Sequence, residues 1–152
     1  FLPALNRHLV HPPRVCVVGS APPREVERLC TEHRWELYPD VSDERLRALY
    51  AEATCAILPF SYATGAKLKL LGALGHGVPY VATPAVAGQV EVPPRSCLIS
   101  ADPEAWARHV EGLAGGGLDM DLRQALLREA ERYSWPTVVA HMLESLSASS
   151  AR

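Results

Sequence analysis

The chain has 152 residues, 48% of them apolar and 21% charged, with a formal net charge of −2. That is enough for one domain with a hydrophobic core and too little for two ordinary ones. The charge balance excludes the electrostatic footprint of a nucleic-acid binder, and no apolar run approaches the roughly 18–20 residues that span a bilayer.

Short β-branched runs alternate with amphipathic stretches. Arg14-Val15-Cys16-Val17-Val18 is a continuous apolar run closed by Gly19-Ser20, the pattern of a strand buried on both faces. Pro22 and Pro23 suit the first turn of a helix, along which Val26, Leu29 and Cys30 repeat. Trp35 to Tyr38 is a second strand, closed by Pro39. Ser42 is set to cap the next helix, with Asp43 and Glu44 in its first turn and Leu46, Leu49, Tyr50 and Ala53 as its apolar stripe. Thr54 to Leu58 is a buried strand stopped by Pro59, and a leucine-rich helix from about Gly65 to His76 ends at Gly77, where a left-handed residue is wanted. Pro79 to Thr83 and Ser96 to Ser100 are further strands.

Asp102-Pro103-Glu104 marks a strong helix start, and that helix dissolves in Gly115-Gly116-Gly117. Two helical stretches follow, Asp119 to Tyr133 and Pro136 to Leu146, with Ser134 as the cap between them and a Ser-rich end that should fray. Trp106 and Trp135 fall on apolar helix faces and read as core. Strands alternating with helices predict an α/β fold, a Rossmann-like parallel sheet with helices on both faces. Ligands of such sheets bind beyond the carboxyl ends of the strands. The search for a site narrows to the loops at Gly19-Ser20, Pro39 to Ser42, Pro59 to Lys67 and Thr83 to Glu91.

Cys16, Cys30, Cys55 and Cys97 show no metal-ligand spacing, and the scattered histidines form no His-x-x-x-His, so neither a metal nor a cofactor is expected. Reduced structural cysteines in a cytoplasmic protein are the reading. The start Phe-Leu-Pro-Ala-Leu-Asn lacks the features of a signal peptide, and an opening Phe1 reads as a fragment or a processed product. Interleaved charges such as Arg24-Glu25-Val26-Glu27-Arg28 describe a solvated helix face.

The most informative stretch runs from Pro59 to Pro79: a strand end, a small-residue turn, then a helix. Gly65 permits close backbone approach to a ligand, and free amides at the helix start can hold a phosphate. Lys67 and Lys69 cannot share a helix face at their spacing, so at most one of them is expected to reach a bound phosphate, and Lys67 is nearer the helix start. From spacing alone, two solvated lysines on an ordinary surface helix explain the pattern equally well.

The run from Gly65-Ala66-Lys67 through Gly77-Val78-Pro79-Tyr80-Val81-Ala82-Thr83 resembles a signature of the group 1 family of retaining glycosyltransferases with the GT-B fold. Val15 to Ser20, Pro39 to Leu46, Tyr50-Ala51-Glu52-Ala53, Ala87 to Glu91, Asp102 to Trp106 and Tyr133-Ser134-Trp135 are similar to that family's other segments, in the family's order. The resemblance spans nearly the whole chain.

It implies one nucleotide-sugar-binding domain over 1–152, most of the C-terminal half of such an enzyme. The first strand of the domain and the N-terminal acceptor domain would lie before Phe1. It also implies transfer of a sugar from a UDP-, GDP- or ADP-sugar to an acceptor hydroxyl with retention, without a metal. The acceptor would be a carbohydrate or glycolipid, and the full enzyme could associate peripherally with a membrane. Carried over, Gly19, Ser20, Val41, Ser61, Tyr62, Thr64, Gly65, Ala66, Lys67 and Glu91 form the donor site. The family's two glutamates of this region fall at Thr64 and Gly72. Their absence motivates an alternative, a non-catalytic domain of the same fold that binds a partner.

Overall fold

The computed structural model describes residues 2–61, 68–86, 96–116 and 119–150. Helix α1 (Leu2–His8) leads into strand β1 (Cys16–Gly19), α2 (Arg24–His33) and β2 (Glu36–Pro39). Then come α3 (Asp43–Glu52), β3 (Ala56–Leu58), α4 (Leu68–Gly75), β4 (Tyr80–Ala82) and β5 (Leu98–Ile99). Three helices close the fold: α5 (Pro103–Gly116), α6 (Met120–Glu131) and α7 (Trp135–Ser150).

The caps follow the chemistry of the sequence. Ser42 Oγ accepts from the Arg45 amide at 3.2 Å, and the Asp102 carboxylate accepts from the amides of Glu104 at 3.0 Å and Ala105 at 3.2 Å. Side-chain acceptors of this kind satisfy amides that have no partner inside the helix. Gly77, at φ 64°, closes α4: its amide donates to Leu74 O at 2.9 Å and the Val78 amide to Ala73 O at 2.9 Å. The chain thereby reverses into β4 within two residues.

β4 is the centre of a three-stranded parallel sheet in the order β3-β4-β5, with Ala56 opposite Tyr80 and Val81 opposite Leu98. Its alternation sends side chains to opposite faces. Tyr80 and Ala82 join Leu70 and Leu74 of α4 and Leu126 of α6 in one core. Val81 joins Leu5 of α1 and Trp106 and Val110 of α5 in the other. Helices therefore cover both faces of this sheet, as the sequence pattern predicts. Trp106 is fully buried and its indole N–H donates to Ser100 O at 2.9 Å, which satisfies the one polar atom of the ring.

The other two described strands, β1 and β2, form a second parallel pair, Cys16 opposite Glu36 through Gly19 opposite Pro39. β1 and β3 are not hydrogen-bonded neighbours. Several sequence expectations are corrected. β1 is half-buried along its length rather than buried on both faces. Its carbonyls at Val15 and Gly19 accept from Glu36 and Asp40 of the β2 segment. By the period of two, the backbone groups of Cys16 and Val18 turn to the opposite edge. On β3, Ala56 and Leu58 bond toward β4, which turns Ile57 outward. Val15 and Ile57 line one apolar crevice together with Leu2, Leu5, Trp35 and Val110.

α1 was not foreseen, although Leu2, Leu5 and Leu9 recur at helical spacing and pack on the Trp106 core. α2 begins at Arg24, with Pro23 as its cap residue. α5 continues through Gly115 and Gly116, and α7 runs to Ser150 rather than fraying from Ser145. Trp135 is not core: it is 80% exposed. With Val138, Val139, Met142 and Leu143 it forms an exposed apolar stripe along α7.

An ion-pair cluster ties the start of β1 to its neighbours. Arg14 donates to both carboxylate oxygens of Glu36, at 2.7 and 2.9 Å, and to Glu52 at the end of α3 at 3.0 Å. The Tyr38 hydroxyl completes it, donating to Glu36 at 2.5 Å. The bonds from Arg14 and then from Tyr38 hold the Glu36 carboxyl down to about 2, from an ordinary 4.5. A depressed acid stabilises the fold above its unfolded value and loses that contribution as pH falls through the folded one. Wild-type protein should therefore lose melting temperature between about pH 4.5 and pH 2. Glu36→Gln should lose less across the same window in a thermal melt, and equal losses would remove Glu36 as the source.

Gly77→Ala carries a second expectation. A Cβ there would stand 2.6 Å from Arg123 Cγ at a positive φ. Destabilisation of about 1–3 kcal/mol is expected in urea unfolding, with an unchanged midpoint arguing against the strain.

Candidate functional site

The loops at the carboxyl ends of the strands are built in two groups. In the first, β1 delivers Gly19 and Ser20 beside the end of β2, where Asp40 and Val41 lead into the capping Ser42. Ser20 Oγ–H donates to Asp40 Oδ1 at 2.6 Å, and the Ala21 amide donates to the same oxygen at 3.3 Å. The Asp40 amide returns a bond to Gly19 O at 3.1 Å. Among the described residues nothing stands within 4 Å of where a Cβ on Gly19 would lie. Val41 is half-buried and Ser20 and Asp40 are exposed.

The second group lies on the other sheet. β3 delivers Phe60, half-buried against the core, and Ser61, which is exposed. Thr83 at the end of β4 locks this turn, its hydroxyl donating to Phe60 O at 2.6 Å. Sequence reasoning thus found Gly19, Ser20, Val41 and Ser61 at strand ends, and the structure brings Gly19, Ser20 and Val41 together. Tyr62, Thr64, Gly65, Ala66, Lys67 and Glu91 lie outside the described residues. Asp40 and Thr83, which also stand at these strand ends, are not among the residues the sequence singled out for the site. An acid immediately after a strand-closing proline was the available signal for Asp40.

Gly72 has a local explanation. It sits in α4 against Tyr50 of α3, whose hydroxyl would be 3.3 Å from a Cβ at that position. The Tyr50 ring stacks on His76, centroids 4.4 Å apart and planes 15° from parallel. His76 Nδ1 lies 2.7 Å from Gly72 O; since a carbonyl only accepts, the ring nitrogen is the donor. His76 therefore locks the end of α4 and is committed to structure. Glycine weakens the helix by about 1 kcal/mol relative to alanine, and here it makes room for the Tyr50 stack.

Burial disfavours the thiolate at each cysteine. All four are free, and desolvation pushes the Cys55 thiol up to about 12 and the Cys97 thiol up to about 11, whereas the reactive form is the thiolate. Among the described residues no three His, Cys, Asp or Glu side chains converge as a metal site, and no helix is long and apolar enough to cross a membrane.

Residues 1–115 match the family model of glycosyl transferases group 1. The chain belongs to that family. No curated protein sequence matches this glycosyltransferase domain. Among solved structures it is similar to sucrose-phosphate synthase from Thermosynechococcus elongatus, with a TM-score of 0.70 at 19% identity over 97% of this chain and 41% of that one. It is also similar to AviGT4, a glycosyltransferase involved in Avilamycin A biosynthesis, with a TM-score of 0.51 at 21% identity over 86% of this chain and 44% of that one. At such identities the likeness is one of fold, that of the GT-B glycosyltransferases. The chain spans less than half the length of the solved structures it matches.

Restoring a glutamate at position 72 tests the packing account. Gly72→Glu should drive Tyr50 off its stack on His76 and destabilise the fold by about 1–3 kcal/mol. Tyr50→Ala added to it should return part of that loss. Strict additivity of the two changes in denaturant unfolding would mean that Tyr50 does not hold the space.

Proposed function

We propose that the domain is the nucleotide-sugar-binding, C-terminal half of a retaining GT-B glycosyltransferase. It would take a UDP-, GDP- or ADP-sugar and present the sugar to an acceptor hydroxyl on a carbohydrate or glycolipid. The observation that carries this reading is the match of residues 1–115 to the group 1 family. In the sequence, the candidate residues cluster beyond the carboxyl ends of parallel strands, where α/β sheets take their ligands. Gly19, Ser20 and Val41 would line the nucleoside end. Ser61 and the turn of Tyr62, Thr64, Gly65, Ala66 and Lys67 would hold the diphosphate and sugar, with Glu91 beside them.

The chemistry asked of the protein is electrostatic. Transfer leaves charge on the departing diphosphate, which backbone amides at a helix start and the fixed charge of Lys67 would stabilise without reorganisation. Neither a metal nor a cofactor is required for that role. The acceptor would be held by a separate N-terminal domain, so this half alone would be inactive, and the full enzyme would work in the cytoplasm, peripherally bound to a membrane where its acceptor is a glycolipid. Among the described residues no strand pairs with the outer edges of β1 and β3, and Val15 and Ile57 line one apolar crevice, which supports the reading of an incomplete domain. A further parallel strand of the whole enzyme would join the two sheets between them.

In the full-length enzyme, Lys67→Ala should weaken binding of the nucleotide sugar about tenfold, the loss of one charge-assisted hydrogen bond. Ligand-observed NMR with UDP, GDP and ADP should show one nucleotide binding selectively. Binding of none to the full-length enzyme would sink the donor-site reading and leave a non-catalytic domain of the same fold that binds a partner.

A further inference from the structure

Thr83, the first residue beyond β4, is half-buried and commits its amide, hydroxyl and carbonyl to the segments beside it. Its amide donates to Leu58 O at 3.4 Å and its hydroxyl to Phe60 O at 2.6 Å, both where the chain leaves β3. Its carbonyl accepts from the Val86 amide at 3.2 Å, which closes the short 3₁₀ turn Pro84–Val86. Leu58 O also accepts from the Phe60 amide, at 3.0 Å, so the chain turns tightly over Pro59 before it reaches Ser61.

Each tied segment carries an apolar anchor as well. Phe60 packs against the core, and Val86 is fully buried. Thr83 itself stands on a rigid strand end: Ala82 is fully buried, and its carbonyl accepts from the Ser100 amide at 2.9 Å. Threonine suits the place because two heavy atoms on Cβ restrict χ1, so the hydroxyl is held in one direction. The candidate donor residues of this sheet come next in the sequence, Ser61 to Lys67 after Phe60 and Glu91 after Val86.

We propose that Thr83 is a positioning residue for the diphosphate and sugar end of the donor, fixing the spacing of the two segments from which that end would be held. The assignment rests on the donor-site reading above and deepens it. A ligand gripped from two loops binds less tightly when their spacing drifts, because the loops must then be ordered on binding. Gly19, Ser20 and Val41 stand at the ends of β1 and β2, so the nucleoside end is built independently of this tie. Loss of the Thr83 hydroxyl therefore falls on the diphosphate and spares the nucleoside.

The test compares two affinities on the full-length protein. One is that of UDP, GDP or ADP, whichever binds, by calorimetry; the other is that of its parent nucleoside, by ligand-observed NMR. Thr83→Val keeps the size and the branch at Cβ and removes the hydroxyl. It should weaken the nucleoside diphosphate about tenfold and leave the nucleoside unchanged. Thr83→Ala, which also lacks the hydroxyl, should give the same ratio of affinities. Thr83→Ser retains the hydroxyl and should bind the diphosphate as wild type does. Measured below the melting midpoint of each variant, a merely structural role lowers that midpoint and leaves the ratio alone. An unchanged ratio in Thr83→Val, or a loss in Thr83→Ser equal to that in Thr83→Val, overturns the positioning role while leaving the donor site standing. Failure of the wild type to bind any of the three nucleotides removes the donor site and this role together.

Discussion

The fold depends on β4 being buried on both faces. Three residues between Pro79 and Thr83 divide their side chains between two cores: Tyr80 and Ala82 meet α4 and α6, and Val81 meets α1 and α5. Parallel strands cannot be joined by a tight hairpin, and β4 is reached from β3 through a crossover that supplies the covering helix α4. Gly77 makes the return turn short enough, because its positive φ lets α4 end and β4 begin almost at once. α4 is thereby pinned over the sheet.

The two halves of the architecture are unequal. Around β4 every strand position is backed by a helix, and the largest side chains are fully buried. Around β1 and β2 the strands are half-buried or exposed, and much of their cohesion is polar. Arg14, Glu36, Glu52 and Tyr38 clasp one end of the pair, and Ser20 and Asp40 clasp the other. Exposed ion pairs contribute little each, so this half relies on backbone pairing and on the crevice that Val15 shares with Ile57.

The sequence by itself determined the alternation of strands and helices, the caps at Ser42, Asp102 and Gly77, and the family, because each of these rests on local chemistry: a short polar side chain beside free amides, a residue without Cβ at a reversal, a period of two or of 3.6. Tertiary structure decided the rest. Whether an apolar helix face is buried depends on what lies across from it, and so Trp106 is core while Trp135 is exposed. Strand order is not encoded in any one strand, and so the break between β1 and β3 was invisible in the pattern of either. Gly72 read as a defect until Tyr50 was seen filling its space. Asp40 was one acid among many until the pairing of β1 with β2 set it against Ser20.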